Sequence, residues 1–477
     1  MKRKYVVLAL LFITLYAISF IDLFAAEKSQ PVQFLKVSAD GRHFVYADKT
    51  PFFYLADTGW QLFHRLTRYE ADLYLADRAS KGFTVIQAAA MPVEGELNEP
   101  NPYGDVVLKD NDPTMPNEAY FEHIDYIVGK AESLGLTIAM LPTWGDKVKK
   151  AWGPGPEIFN VENARIYGEW LGRRYKDNKI IWVLGGDRSP VGDEEIWRAM
   201  AEGLRAGDGG RHLITFHGAD KGRRGSSPFF HNEKWLDVNM YYSGHAWASP
   251  NYRGIARDYA LTPVKPTFDG EPRYENHPYI GDGSGFYSKR KLWDKITRAN
   301  AHQVREAAYW AMLAGAAGHT YGCHDVWQFY DYGRKSINHA NTPWYQALQF
   351  PGAAQMGLMR RLFESRPWQM LVPDQSIIAA GQGKGEDHIQ AAVAKDGSFL
   401  FAYLTFGNPI TVNMNKISGA KVKAHWFDPR NGEWSFIGEF ANSGTQEFTP
   451  RKSGAIWDWI LVLDDAAKNY PCYDDEH

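Results

Sequence analysis

Cysteine is almost missing from this sequence: its 477 residues include two, Cys323 and Cys472. An exported protein could pair them, but two cysteines are no framework, so the class of small disulfide-held scaffolds is excluded. Neither a CxxC nor an HExxH spacing occurs, and no metal or cofactor is expected. A strong charge of one sign is missing too. The formal net charge is −3, which gives no reason to expect nucleic acid or an anionic membrane as partner. There is no internal repeat and no low-complexity tract. After the N-terminal leader, no segment is apolar enough to cross a bilayer.

What is present begins with that leader. Lys2, Arg3 and Lys4 form a basic start, and residues 5–20 are an almost unbroken apolar run. Asp22 interrupts the pattern before Leu23-Phe24-Ala25-Ala26 supplies small residues ahead of Glu27. This is the layout of a secretory signal peptide over 1–26, with a periplasmic or extracellular destination. A retained anchor is the alternative, because the run approaches a single span. The rest is ordinary for a globular protein, with 44% hydrophobic and 23% charged residues. The aromatic share is 14%, including 17 Trp, and rings of this type serve both cores and sugar-binding clefts.

From Pro51 to about Trp327, short β-rich runs alternate with helical segments, the pattern of an α/β barrel. Eight strands are expected, at 52–56, 84–89, 137–141, 180–184, 213–216, 238–242, 266–269 and 319–322. Helices are expected at 69–81, 117–134, 161–175, 194–205, 252–260 and 301–314. Two loop-like stretches, 91–116 and 276–288, follow expected strands and so belong to the face where barrel enzymes keep their sites. After a helical stretch at 344–363 the texture changes to short strands separated by turn signals, which indicates a β-sandwich. The expected architecture is a (β/α)8 TIM barrel over 32–370 followed by a smaller antiparallel β-sandwich over 371–465. Trp426, Phe427, Trp434, Phe436, Trp457 and Trp459 are expected in the sandwich core and at its boundary with the barrel.

Two carboxylates stand out by position. Residues 180–184 are an apolar run that ends in Gly185-Gly186 and then Asp187. Residues 266–269 lead through Gly270 to Glu271. These are strands four and seven, and an acid just past a strand's C-terminal end faces the barrel mouth. Such a pair is what cleavage of a glycosidic bond requires. One carboxylic acid protonates the leaving oxygen, and a second carboxylate attacks the anomeric carbon or activates water. The glycines allow a sharp turn and close approach of substrate. The plainer alternative is that each acid merely pairs with its neighbour, Arg188 or Arg273. Asp269, two residues before Glu271, is expected in a supporting role.

Four motifs, in this order and spacing, carry a resemblance. They are Phe53-Tyr54-Leu55-Ala56-Asp57-Thr58-Gly59-Trp60, Gly185-Gly186-Asp187-Arg188, Asp269-Gly270-Glu271-Pro272 and Glu364-Ser365-Arg366-Pro367-Trp368. Together they resemble glycoside hydrolase family 140, an apiosidase-like barrel followed by a β-sandwich that bears a collagen-binding label. The resemblance implies a retaining, exo-acting hydrolase that removes apiose from pectic side chains of the rhamnogalacturonan-II type. It also implies Asp187 as acid/base and Glu271 as nucleophile, with a plant cell-wall glycan as the partner molecule.

A pocket for one terminal sugar needs several polar groups and an aromatic floor. Candidates at strand ends are Asp57, Trp60, Glu94, Trp144, His217, Tyr241, His245, Arg273, His324 and Trp327. Tyr241 is the expected hydrogen-bond partner of the nucleophile. Two other readings stay open at this point. One is a different exo-glycosidase, releasing arabinofuranose or galactose; the other is a non-catalytic glycan- or collagen-binding protein.

Overall fold

The structure, a computed structural model, describes residues 33–93, 97–151, 153–246, 249–279 and 297–472. The leader at 1–26 and most of the loop at 276–288 lie outside the described residues. Eight parallel strands form the frame: β1 (Tyr54–Thr58), β2 (Val85–Ala89), β3 (Thr137–Leu141), β4 (Ile180–Gly185), β5 (Ile214–His217), β6 (Asn239–Tyr241), β7 (Thr267–Asp269) and β8 (Gly318–Tyr321). Hydrogen-bonded neighbours run β6-β7-β8-β1-β2-β3-β4-β5. The ring closes between β5 and β6, where Asp237 N donates to Ile214 O at 2.9 Å and Thr215 Oγ1 donates to Val238 O at 2.8 Å. The eight expected strands are therefore all present, and they form a closed (β/α)8 barrel.

Two apolar layers alternate along each strand. Tyr54, Ala56, Val85, Ala139, Ile181, Val183, Met240 and Phe268 pack together inside the barrel. Leu55, Ile86, Ile138, Met140, Trp182 and Leu184 join the outer layer with the helices. Burial on both faces is why these strands read as continuous apolar runs.

The main outer helices are α1 (Arg68–Ser80), α2 (Glu118–Ser133), α3 (Val161–Tyr175), α4 (Glu194–Asp208), α5 (Asn251–Tyr259) and α6 (Ala301–Leu313). Reciprocal capping boxes start three of them: Thr67 with Glu70, Asn160 with Asn163, and Asn300 with Gln303. Helix α4 runs three residues past the expected Arg205, to the left-handed cap at Gly209. It lies against α3 closely enough that a Cβ on Gly203 would sit 2.2 Å from Arg165 O.

Beyond the barrel, α7 (Pro351–Glu364) leads into two antiparallel sheets. The larger has six strands, in the order 371–373, 390–394, 399–404, 459–465, 421–427 and 434–441; the smaller has three, 378–380, 410–413 and 445–448. Leu400, Ala402, Leu404, Val422 and Leu461 fill the space between the sheets with Val412 and Phe448. On the opposite face of the same strands, Phe399, Phe401, Tyr403, Ile460 and Val462 merge with the helical layer of the barrel. Tyr403 stacks on Tyr309 of α6 with ring centroids 5.0 Å apart. Trp426, Phe427 and Trp459 are buried as expected, whereas Phe436 is 60% exposed, on a strand at the sheet edge.

The junction is also polar. Arg305 of α6 binds Asp458 through Nε at 2.8 Å and Nη2 at 2.7 Å, and its Nη1 donates to Gln355 Oε1 at 2.7 Å. Both charged partners are buried. Removing one member of a buried pair strands the other charge, so Arg305→Ala is expected to cost about 3–5 kcal/mol of stability. Denaturant unfolding of the full chain would measure it, and a loss under about 1 kcal/mol would contradict the assignment.

Candidate active site

The turn after β4 is built by two glycines and ends in a strained acid. Gly185 and Gly186 have φ of 91° and 124°, and Asp187 itself has φ of 55°. A Cβ on Gly185 would lie 2.0 Å from His217 O, so no other residue fits there. A non-glycine residue in the left-handed region persists only where its surroundings hold it, and such residues cluster at functional sites. Here Gly186 N donates to His217 O at 2.7 Å, and Asp187 N donates to His217 Nδ1 at 3.2 Å. The β5 histidine thus fixes the backbone that presents Asp187.

Glu271 follows β7 and is 3% exposed. Three side chains converge on its carboxylate. Tyr274 OH donates to Oε1 at 2.8 Å, His245 Nε2 lies 3.2 Å from Oε1, and His217 Nε2 lies 2.6 Å from Oε2. Trp60 Nε1 in turn donates to Tyr274 OH at 3.1 Å, which orients that hydroxyl toward the carboxylate. Because His217 Nδ1 accepts from the Asp187 N–H, its proton sits on Nε2, facing Glu271. His245 Nδ1 meets Pro272 O at 2.9 Å, so both of its ring nitrogens face acceptors.

These environments drive the two acids apart. Burial, then the Glu271 charge beside it, raise the Asp187 carboxyl to about 7. Burial would raise Glu271 as well, but the contacts with His217 and His245 outweigh it and hold Glu271 well below the usual carboxylate range. Below about pH 7 the site therefore holds one protonated and one ionised carboxyl, the division that acid-base chemistry on a single substrate requires. One oxygen of each carboxylate and a ring nitrogen of His217 all lie within 4.8 Å of one another.

Both acids open into a pocket of about 120 Å3, among whose described lining residues are Trp60, Trp144, Tyr242, Tyr274, His277 and Trp327. It is far smaller than the roughly 300–1,000 Å3 of drug-sized sites and has the scale of a single sugar unit. Residues 38–370 match the family described as "Apiosidase-like, catalytic domain". The chain belongs to the apiosidase-like family.

Residues 372–464 match a second family, described as "Putative collagen-binding domain of a collagenase". Among solved structures, one titled "Glycoside hydrolase" is 34% identical, with a TM-score of 0.83 over 92% of this chain and 98% of its own. A glycoside hydrolase family 5 protein from Bacteroides vulgatus is 32% identical, with a TM-score of 0.82 over 92% of this chain and 95% of its own. No curated protein matches the chain. This apiosidase-like protein is a glycoside hydrolase, and its substrate is a glycan.

Of the residues expected at the pocket, Trp60, Trp144, His245, His324 and Trp327 line it. Glu94 lies outside the described residues. His217 is fully buried and touches Glu271 and the Asp187 backbone, so it supports the acids rather than lining the pocket. Three expectations are corrected. Asp57 is buried in the outer layer, where Arg78 Nε donates to it at 2.6 Å and Tyr74 OH at 2.7 Å. Tyr241 faces α5, its ring filling the space beside Gly254 and lying 5.5 Å from the Arg257 guanidinium; Tyr274 takes its expected place on Glu271. Arg273 turns outward to Glu306 of α6, with Nη2 at 2.5 Å from Oε1. Arg273 is therefore not the partner of Glu271. Asp269 has the expected supporting role, accepting from Ser243 Oγ at 2.6 Å and Asn251 Nδ2 at 2.9 Å.

Tyr242, Tyr274, His277 and Asn338 were not anticipated. Tyr242 lies beside His217, its ring tilted by 47° with centroids 4.9 Å apart, and its hydroxyl reaches Asp187. The same three acidic and imidazole groups have a spacing that a metal ion could use. The fit is poor: His217 Nδ1 is taken by the Asp187 N–H, Glu271 Oε1 by Tyr274 and His245, and His217 Nε2 and Glu271 Oε2 lie 2.6 Å apart, closer than two ligands of one ion sit.

Proposed function

We propose that this enzyme is a retaining, exo-acting glycosidase that removes apiose from pectic side chains of the rhamnogalacturonan-II type. Asp187 acts as acid/base and Glu271 as nucleophile. One observation carries the mechanism: Asp187 and Glu271 present oxygens within 4.8 Å of each other across a small pocket, where burial and the Glu271 charge raise Asp187 to about 7 and the two histidines hold Glu271 low. Retaining enzymes hold their carboxyl groups about 5–5.5 Å apart, whereas inverting enzymes leave about 6.5–9.5 Å for a water. Glu271 would attack the anomeric carbon while Asp187 gives its proton to the leaving oxygen. Asp187, then ionised, would take a proton from the water that releases the sugar. His217, His245 and Tyr274 keep Glu271 charged and aimed until attack.

The pocket size supports removal of one terminal unit, and the family match supports apiose. The leader supports export, to the periplasm or beyond. Incubating the purified enzyme with pectic oligosaccharides and identifying the released monosaccharide tests the substrate. Release of apiose, first seen by NMR with the anomeric configuration of the substrate, is the expected result. Release of arabinofuranose or galactose would overturn the sugar, and inverted product would overturn the mechanism.

A further inference from the structure

Both ring nitrogens of His245, in the pocket wall, face oxygens that can only accept. Nδ1 meets the Pro272 carbonyl at 2.9 Å, and Nε2 lies 3.2 Å from Oε1 of the ionised Glu271. A neutral imidazole has a single N–H, so one of these oxygens would then meet a nitrogen lone pair. The doubly protonated ring suits both, and its charge pairs with the carboxylate. His217 differs. Its Nδ1 accepts from the Asp187 N–H, so that ring carries one proton.

The neighbours confine the charge to His245. Tyr274 and His277 pack against its ring, with centroids 4.3 and 4.5 Å from its own, and His324 lies 4.8 Å beyond His277. Burial, then His245 and His324 beside it, hold the His277 ring well below its ordinary value, and burial lowers His324 to about 4. Both are therefore neutral at about pH 7. Burial and the Glu271 charge keep the Tyr274 hydroxyl protonated. Of the two acids, Glu271 pairs with His245 directly and Asp187 lies within its electrostatic reach.

We propose that His245 is a standing imidazolium that acts in the second half of the reaction, stabilising the Glu271 carboxylate as it leaves the sugar. The inference rests on the double-displacement reading above. In the first step the leaving oxygen takes the Asp187 proton and its bond to the anomeric carbon breaks. A Glu271 oxygen bonds to that carbon, and the negative charge beside His245 disappears. In the second step a water oxygen bonds to the carbon and a water proton passes to Asp187. The electron pair of the glycosyl–Glu271 bond then returns to the carboxylate. A cation held beside Glu271 throughout therefore opposes the first step and favours the second.

His245→Gln removes the charge and keeps an N–H for Glu271. The probe is the 4-nitrophenyl glycoside of whichever terminal sugar the wild type releases. Rapid mixing resolves the first step, as a burst of nitrophenol, from the second, as steady turnover. The variant is expected to slow the second step about tenfold to a hundredfold, the usual worth of a charged hydrogen bond, while the first is not slowed. The glycosyl-enzyme should then accumulate and appear in the intact-protein mass after acid quench. Thermal unfolding checks the fold, and His245→Asn gives the same split should the glutamine variant not fold. Equal slowing of both steps, the mark of a merely structural role, would overturn the inference, as would an unchanged second step. A wild type that releases inverted product forms no glycosyl-enzyme; the double-displacement reading then falls and takes the inference with it.

Discussion

Replacing Glu271 by glutamine is expected to lower turnover by about 10^4-fold or more while leaving the fold intact. The amide is nearly isosteric, so the pocket keeps its shape. It has no charge with which to attack the anomeric carbon, and its NH2 group would face His217, His245 or Tyr274, all now placed to donate toward an acceptor. The variant has a second consequence. Asp187 is raised by burial first and by the Glu271 charge next, so removing that charge should lower it toward ordinary carboxylate values. Residual activity, where measurable, should therefore lose its alkaline limb at lower pH than the wild type. Circular dichroism and thermal unfolding would establish that the fold survives. Retention of a tenth or more of wild-type kcat would remove Glu271 from the nucleophile role.

The barrel was legible because its strands are apolar on both faces and end in recognisable acids. Runs such as 180–184 are short and rich in β-branched residues, which favours a buried strand over a helix, and the double glycine before Asp187 announces a turn. What could not be read was which way each side chain points near a strand end. Along β1, Tyr54 and Ala56 face inward, which sends Asp57 out to Arg78. At the end of β6 the same alternation sends Tyr241 to the helices and Tyr242 to the pocket, because a strand's faces alternate with a period of two. Arg273 lies beyond the end of β7, where that alternation no longer holds: Glu271 and Tyr274, three residues apart, share the pocket, and Arg273 between them turns out to Glu306. His277 and Asn338 had no such signal. They come from loops whose course depends on packing, and Asn338 has a left-handed φ of 47° that only the finished rim imposes.

Replacing Asp187 by asparagine is expected to separate the two halves of the reaction. As the acid, Asp187 protonates the leaving oxygen, so the loss should depend on how much help the leaving group needs. For an oligosaccharide, kcat/KM should fall by about 10^2–10^4-fold, the usual worth of a positioned acid. For an aryl glycoside with a stable phenolate, the first step needs little protonation, and that loss should be much smaller. The pH profile gives an independent check. Wild-type Asp187 must be protonated to act, so activity toward the oligosaccharide is present below its raised value of about 7 and lost as pH rises through it. In Asp187→Asn that alkaline limb should vanish, since the amide does not titrate. The acid limb, set by Glu271, should persist at low pH because His217 and His245 hold that carboxylate ionised. An alkaline limb unchanged in the variant would assign the proton donor elsewhere, with Tyr242, whose hydroxyl reaches Asp187, as the group next to test.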